Sequence, residues 1–112
     1  MTDLINKKCV PCEGGEPTLT LEEIEKFMKE LDKRWEVIGN PSPRLTANFQ
    51  SEDFKEAMAF VNKVADLAEQ EGHHPDISIS YSKVDITIWT HKIGGLSEND
   101  FILAAKIDNI YK

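Results

Sequence analysis

Between Ile77 and His91 the chain alternates apolar and polar residues twice, with only Ser82 and Lys83 between the two runs. Ile77, Ile79 and Tyr81 share one face of the first run, and Val84, Ile86 and Ile88 share one face of the second, because side chains alternate along a strand. Strands joined this closely should pair antiparallel, as a hairpin. Such a hairpin is half a fold, since its apolar face must be covered. The segment before it supplies the cover. Phe54, Ala57, Met58, Val61, Val64, Ala65 and Ala68 form the clearest helical stripe in the sequence. Ser51 is its expected cap, Gly72 fits the position just past its end, and Pro75 bars its continuation.

The same grammar recurs upstream. Thr20 and Glu23 fit a capping box, and Leu21, Ile24, Phe27, Met28 and Leu31 repeat at helical spacing, predicting a helix to about Lys33. "WEVIG", beginning at Trp35, and "RLTANFQ", with Leu45, Ala47 and Phe49 on one face, read as a second hairpin around the turn "NPSP". After "GGL" a third helix opens at Ser97, framed with Asp100 by a capping-box-like pair. Phe101, Ile102, Leu103, Ala104, Ala105, Ile107 and Ile110 make that helix apolar on more than one side. A surface helix needs one stripe, so the surplus must be buried, and a second subunit is the economical cover. The order helix, two strands, helix, two strands, helix predicts an α+β fold: a four-stranded antiparallel sheet with helices packed on one face.

With 112 residues the chain fits one domain, placed at residues 20–112 behind an irregular arm at residues 1–19. The arm carries a single C-x-x-C, Cys9 and Cys12. One such pair is half a zinc ribbon, and no βαβ pattern surrounds it, so reduced thiols are the expectation, with a shared metal or a redox role as alternatives. A formal net charge of −7 repels phosphate backbones and anionic membranes, which argues against a nucleic-acid or membrane partner. "MTDLINKK" has no hydrophobic signal core, and no apolar run nears the roughly 20 residues that cross a bilayer, so a cytoplasmic location is expected.

All three histidines, His73, His74 and His91, fall within "EGHHPDISISYSKVDITIWTH". A single histidine at a helix end is ordinarily a partner of the helix dipole. Three are harder to dismiss. In an antiparallel pair the start of one strand lies beside the end of the other, so His91, held on its strand, should sit near His73 and His74. Imidazoles exchange protons near neutral pH and could supply an acid and a base together. Glu69 could orient one ring, although a solvated helix-end acid is its plainer reading. Three histidines can also hold zinc, but adjacent side chains project differently and aim poorly at one ion.

"EGHHP", "YSKVDITIWTH" and "GGLSENDFILAAKID", with "LTLEEIEKFMKELDKRWEVI" and "LTANFQSEDFKEAMAFVNKVADLAE", resemble the pterin-4a-carbinolamine dehydratase family over about residues 19–111. The resemblance implies dehydration of 4a-hydroxytetrahydropterin to quinonoid dihydropterin by histidine acid–base catalysis, in pterin recycling, with neither metal nor cofactor. It implies His73, His74 and His91 as catalytic residues. Glu69, Gly72, Pro75, Trp35, Trp89, Thr90 and Asp100 are implied around the substrate, Asp100 also being readable as a helix cap and Trp35 as core. It implies a homodimer through sheet edges or a homotetramer through helices, and a pterin-dependent hydroxylase as functional partner. The non-enzymatic alternative is a dimerisation or coactivator role, as animal members play for a homeodomain transcription factor.

Overall fold

The computed structural model describes residues 4–7, 9, 18–39 and 42–111, and for His91 the main chain only. Helix α1 spans Leu21–Met28, strand β1 Glu36–Ile38, strand β2 Arg44–Gln50, helix α2 Phe54–Glu71, strands β3 and β4 Asp76–Ser80 and Lys83–Ile88, and helix α3 Glu98–Tyr111. All strand pairs are antiparallel, in the order β1-β2-β4-β3. The α+β architecture is therefore as the pattern implied. Leu45, Ala47 and Phe49 of β2 and Val84, Ile86 and Ile88 of β4 are buried on one face. Arg44, Asn48, Gln50, Lys83 and Asp85 are exposed on the other. Each large inner side chain contributes roughly 1.5–3 kcal/mol by leaving water.

Several boundaries differ from the sequence pattern. The Thr20–Glu23 capping box is present, but α1 ends at Met28, and the chain then tightens into i→i−3 bonds, Glu30 N–H to Phe27 O and Leu31 N–H to Met28 O. These aim Leu31 inward without further α-helix. Asp53, not Ser51, caps α2, accepting the Glu56 N–H, while the Ser51 N–H is committed to Ser82 O. The buried stripe is Ala57, Phe60, Val64 and Ala68, so Phe54 and Ala65 point outward. Ser80 pairs with Lys83, which makes Tyr81–Ser82 the hairpin turn in place of Ser82–Lys83. Tyr81 has a φ of 55° and is exposed. Of the "NPSP" turn, Asn40 and Pro41 lie outside the described residues, as does Cys12.

The surplus apolar surface of α3 is covered by the chain itself. Phe27 of α1 packs on Phe101 at 5.3 Å, and Phe60 of α2 on Tyr111 at 5.4 Å. A 3-10 turn at Leu4–Asn6 packs against α3, leaving Leu4 1% exposed. A second subunit is therefore not needed to explain the composition of α3.

This packing determines where the chain ends meet. From the β3–β4 turn, α2 carries the chain about 27 Å back along the sheet at 1.5 Å per residue. Its C-terminus thus arrives beside the end of β4 and the start of α3. If Leu4 is part of this core, Leu4→Ala should lower the free energy of unfolding by about 2–4 kcal/mol. Urea unfolding measures this, and a loss within about 0.5 kcal/mol would mean the turn does not pack as described.

Candidate active site

Where α2 ends, Gly72 adopts a left-handed φ of 66°, and the His73 N–H bonds Ala68 O at 3.2 Å. This closing turn suits glycine, because a Cβ disfavours that backbone region. It delivers His73, His74 and the half-buried Pro75 into β3. Asp76 pairs with Thr87, so continuing the register brings His73 level with Thr90.

The two adjacent rings have separate partners. His73 is largely buried and its Nε2 lies 2.6 Å from Oδ1 of Asp100. His74 is exposed, with Nε2 2.5 Å from Oε2 of Glu69. Glu69 thus meets His74, and Asp100 meets His73.

Asp100 is fully buried, with 0% exposure. Its Oδ2 accepts the Thr90 hydroxyl at 2.9 Å and the Ser97 N–H at 2.8 Å. The Ser97 hydroxyl lies 2.7 Å from Thr90 Oγ1. Thr90 donates its one proton to Asp100, so Ser97 must donate to Thr90. With Oδ2 doubly engaged, Oδ1 is the oxygen that faces the ring and accepts from His73 Nε2–H. Half of the expected capping box is present. Asp100 caps the Ser97 amide, but the Ser97 hydroxyl serves Thr90. Asp100 therefore acts as helix cap and histidine partner together.

The other candidate residues are distributed unevenly. β4 ends at Ile88, Thr90 forms an isolated bridge to Gly95, and His91 opens a 3-10 turn, His91–Ile93. His91 is thus not held on a strand as its alternation suggested, because the main chain turns back after Thr90. Its side chain lies outside what the structure describes. Trp89 is half-buried under the Arg44 guanidinium, 4.0 Å from its ring centre. Trp35 is not brought to the histidines. Its Nε1 donates to Asp108 at 2.9 Å, and its ring meets Phe49 edge-on at 5.8 Å. Asp108 stands eight residues beyond Asp100, about 12 Å along α3.

Behind this site lies a polar group that the sequence pattern did not flag. Glu71, the last residue of α2, accepts the Cys9 N–H at 2.8 Å and the Lys106 ammonium at 2.8 Å. The signal was Lys106 alone within the apolar run of α3, since a lysine so placed needs a buried partner. Burial by itself would raise the Glu71 carboxyl; Lys106 and the Cys9 amide outweigh it and hold it below its ordinary 4.5. Burial, together with the Glu71 charge, pushes the Cys9 thiol up to about 12, so it stays protonated. Among the described residues no group of three metal-ligating side chains is gathered.

A cleft of about 550 Å³, lined in part by Gln50, Glu56, Lys63 and Tyr111, lies at the far end of α3 from His73. This cleft is thus separate from the histidine pairs, and the dense polar network marks the histidine end as the candidate site.

The sequence profile of the family described as pterin 4 alpha carbinolamine dehydratase matches residues 17–110. A Rickettsia bellii protein named a candidate pterin-4-alpha-carbinolamine dehydratase is 53% identical over 105 residues, 94% of this chain and 91% of its own. One of the same designation from Alkaliphilus metalliredigens is 47% identical over 108 residues, covering 96% of each chain. Among solved structures, a transcriptional coactivator/pterin dehydratase from Brucella melitensis superposes with a TM-score of 0.79 at 32% identity, over 85% of this chain and 99% of that one. A pterin dehydratase-like RuBisCO assembly factor of the alpha-carboxysome gives 0.61 at 29% identity, over 69% and 88%.

The depressed Glu71 carboxyl links stability to pH. A group whose pKa is lower folded than unfolded contributes its stability above the unfolded value, and loses it as pH falls through the folded value. The stability difference between wild type and Glu71→Gln should therefore shrink below about pH 4.5. Unfolding curves at stepped pH check this, and a gap that widens in acid would contradict it.

Proposed function

The chain belongs to the pterin 4 alpha carbinolamine dehydratase family, and from that membership we propose that it dehydrates 4a-hydroxytetrahydropterin to quinonoid dihydropterin. The observation that carries the reading is the pairing of His73 with a fully buried Asp100 beside the exposed His74–Glu69 pair. In the proposed reaction a histidinium gives its proton to the 4a hydroxyl. The C4a–O bond breaks and water leaves. The N5 proton passes to a base as the N5=C4a double bond forms. His73, fixed by Asp100, suits holding and aligning the pterin. The exposed His74, with His91 from the neighbouring turn, supplies proton transfer. Gly72, Pro75 and the Thr90–His91 main chain line the substrate, which needs neither metal nor organic cofactor in this reading.

The reading carries a cytoplasmic location and service to a pterin-dependent hydroxylase. No helix among the described residues is long and apolar enough to cross a membrane. The open edge of β3, with Ile77 and Ile79 only half-buried, is the surface on which a second copy would extend the sheet. The coactivator and assembly-factor designations of two structural relatives favour a second reading, in which the fold serves as a binding module. Turnover separates the two.

The test is steady-state dehydration of synthetic 4a-hydroxytetrahydropterin, with and without chelator. Wild type should turn over, and EDTA should leave the rate unchanged. His74→Ala and His91→Ala should each lower kcat by roughly 10²–10⁴-fold, a general acid–base effect, with a smaller loss for His73→Ala. Folded variants that retain wild-type turnover, or activity lost to EDTA and restored by zinc, would overturn the mechanism.

A further inference from the structure

We propose that Glu71 is a positioning residue: by holding the Cys9 main chain and the Lys106 ammonium, it locks the last turn of α2 against the start of α3 and sets the His73–Asp100 separation. The inference rests on the reading of that pair as part of an active site. Glu71 is not a catalytic residue, since its two carboxylate oxygens are committed to Cys9 and Lys106.

Its place in the chain is the first argument. Only Gly72 separates Glu71 from His73, and both ends of that link are pinned, because the His73 N–H bonds Ala68 O. A shift of the Glu71 backbone is thus passed to His73 with little slack. The second argument is what Glu71 grips. Lys106 belongs to α3, six residues beyond Asp100, so the ion pair spans the two helices that present the partners. The Glu71 side chain is 4% exposed and that of Lys106 16%, so solvent screens the pair little.

The arm supplies a third strut. Its Cys9 amide reaches Glu71, while its Cys9 thiol donates to Asn99 O at 3.5 Å, next to Asp100. Lys7, two residues earlier, pairs with Glu98 at 2.5 Å. The arm thereby ties the end of α2 to the first turn of α3. Cys9 thus reaches α2 through its main-chain amide and α3 through its thiol, the amide bond being the shorter of the two.

A buried ion pair that merely stabilised the fold would behave differently. Replacing such a pair by apolar side chains of similar volume is often neutral to stability. The double variant E71L/K106M should therefore remain folded while releasing α2 from the arm. Two measurements decide. The first needs no substrate: hydrogen exchange of the His73 Nε2 proton in protein labelled with 15N-histidine. In wild type the Asp100 bond should protect it; in E71L/K106M and in Cys9→Pro, which lacks the amide hydrogen, protection should fall. Cys9→Ala keeps that hydrogen and loses only the thiol contacts, so its protection should fall less than that of Cys9→Pro. The second is kinetics: kcat should drop roughly ten-fold in the two disrupting variants with KM changed less than about three-fold, as expected of misplacement. Wild-type His73 protection in folded E71L/K106M would overturn the proposal. If wild type itself fails to turn over, the dehydratase reading falls, while the exchange measurement still decides the role of Glu71.

Discussion

Burying the Asp100 carboxylate completely requires donors for both oxygens, and the donors come from three separate elements of the fold. The Thr90 hydroxyl arrives from the end of β4, the Ser97 amide from the entry to α3, and the His73 imidazole from the exit of α2. An unpaired carboxylate at this depth would cost several kcal/mol, so the three segments cannot separate without a large penalty. The fold supplies the meeting point. The hairpin returns β4 to the sheet end where α2 finishes, and the Thr90–Gly95 bridge turns the chain into α3 at that same end. The histidine pair is thus a consequence of topology, and its geometry is as rigid as the packing of α2 and α3 around it.

Most of the architecture is legible in the sequence because it rests on short-range regularities. The alternation at Leu45–Phe49 and at Val84–Ile88 identifies both central strands and their inner faces, and Gly72 marks the end of α2. Periodicity is less decisive where two apolar sets overlap. In α2 the exposed Phe54 and Ala65 compete with Phe60 and Leu67, and only the sheet beneath decides between them. The breadth of the α3 apolar surface is a similar case. Residue type says that it must be covered but not by what, and the cover includes Leu4, some hundred residues away in sequence.

The site is legible in part. Hairpin geometry groups His91 with His73 and His74, the family resemblance adds Asp100, and the structure pairs His73 with Asp100 and His74 with Glu69. Which carboxylate serves which ring depends on side-chain directions at one turn, and no spacing rule encodes those. Trp35 shows the converse. Its aromatic type fits a ligand pocket, yet its indole is engaged by Asp108 in the core at the other end of α3. Glu71 and Lys106 are 35 residues apart and belong to no motif, so their pairing emerges only once α2 and α3 are packed.

Besides the polar histidine end, the cleft between Gln50, Lys63 and Tyr111 could take a small planar ligand. In the proposed reading the pterin binds at the histidine end. Amide chemical-shift perturbation on titrating a stable dihydropterin into 15N-labelled protein distinguishes them directly. With the pterin at the histidine end, the changes should centre on Gly72–Pro75, Trp89–Ser97 and Asp100. Changes centred on Gln50–Lys63 and Tyr111, with the histidine turn unmoved, would contradict it.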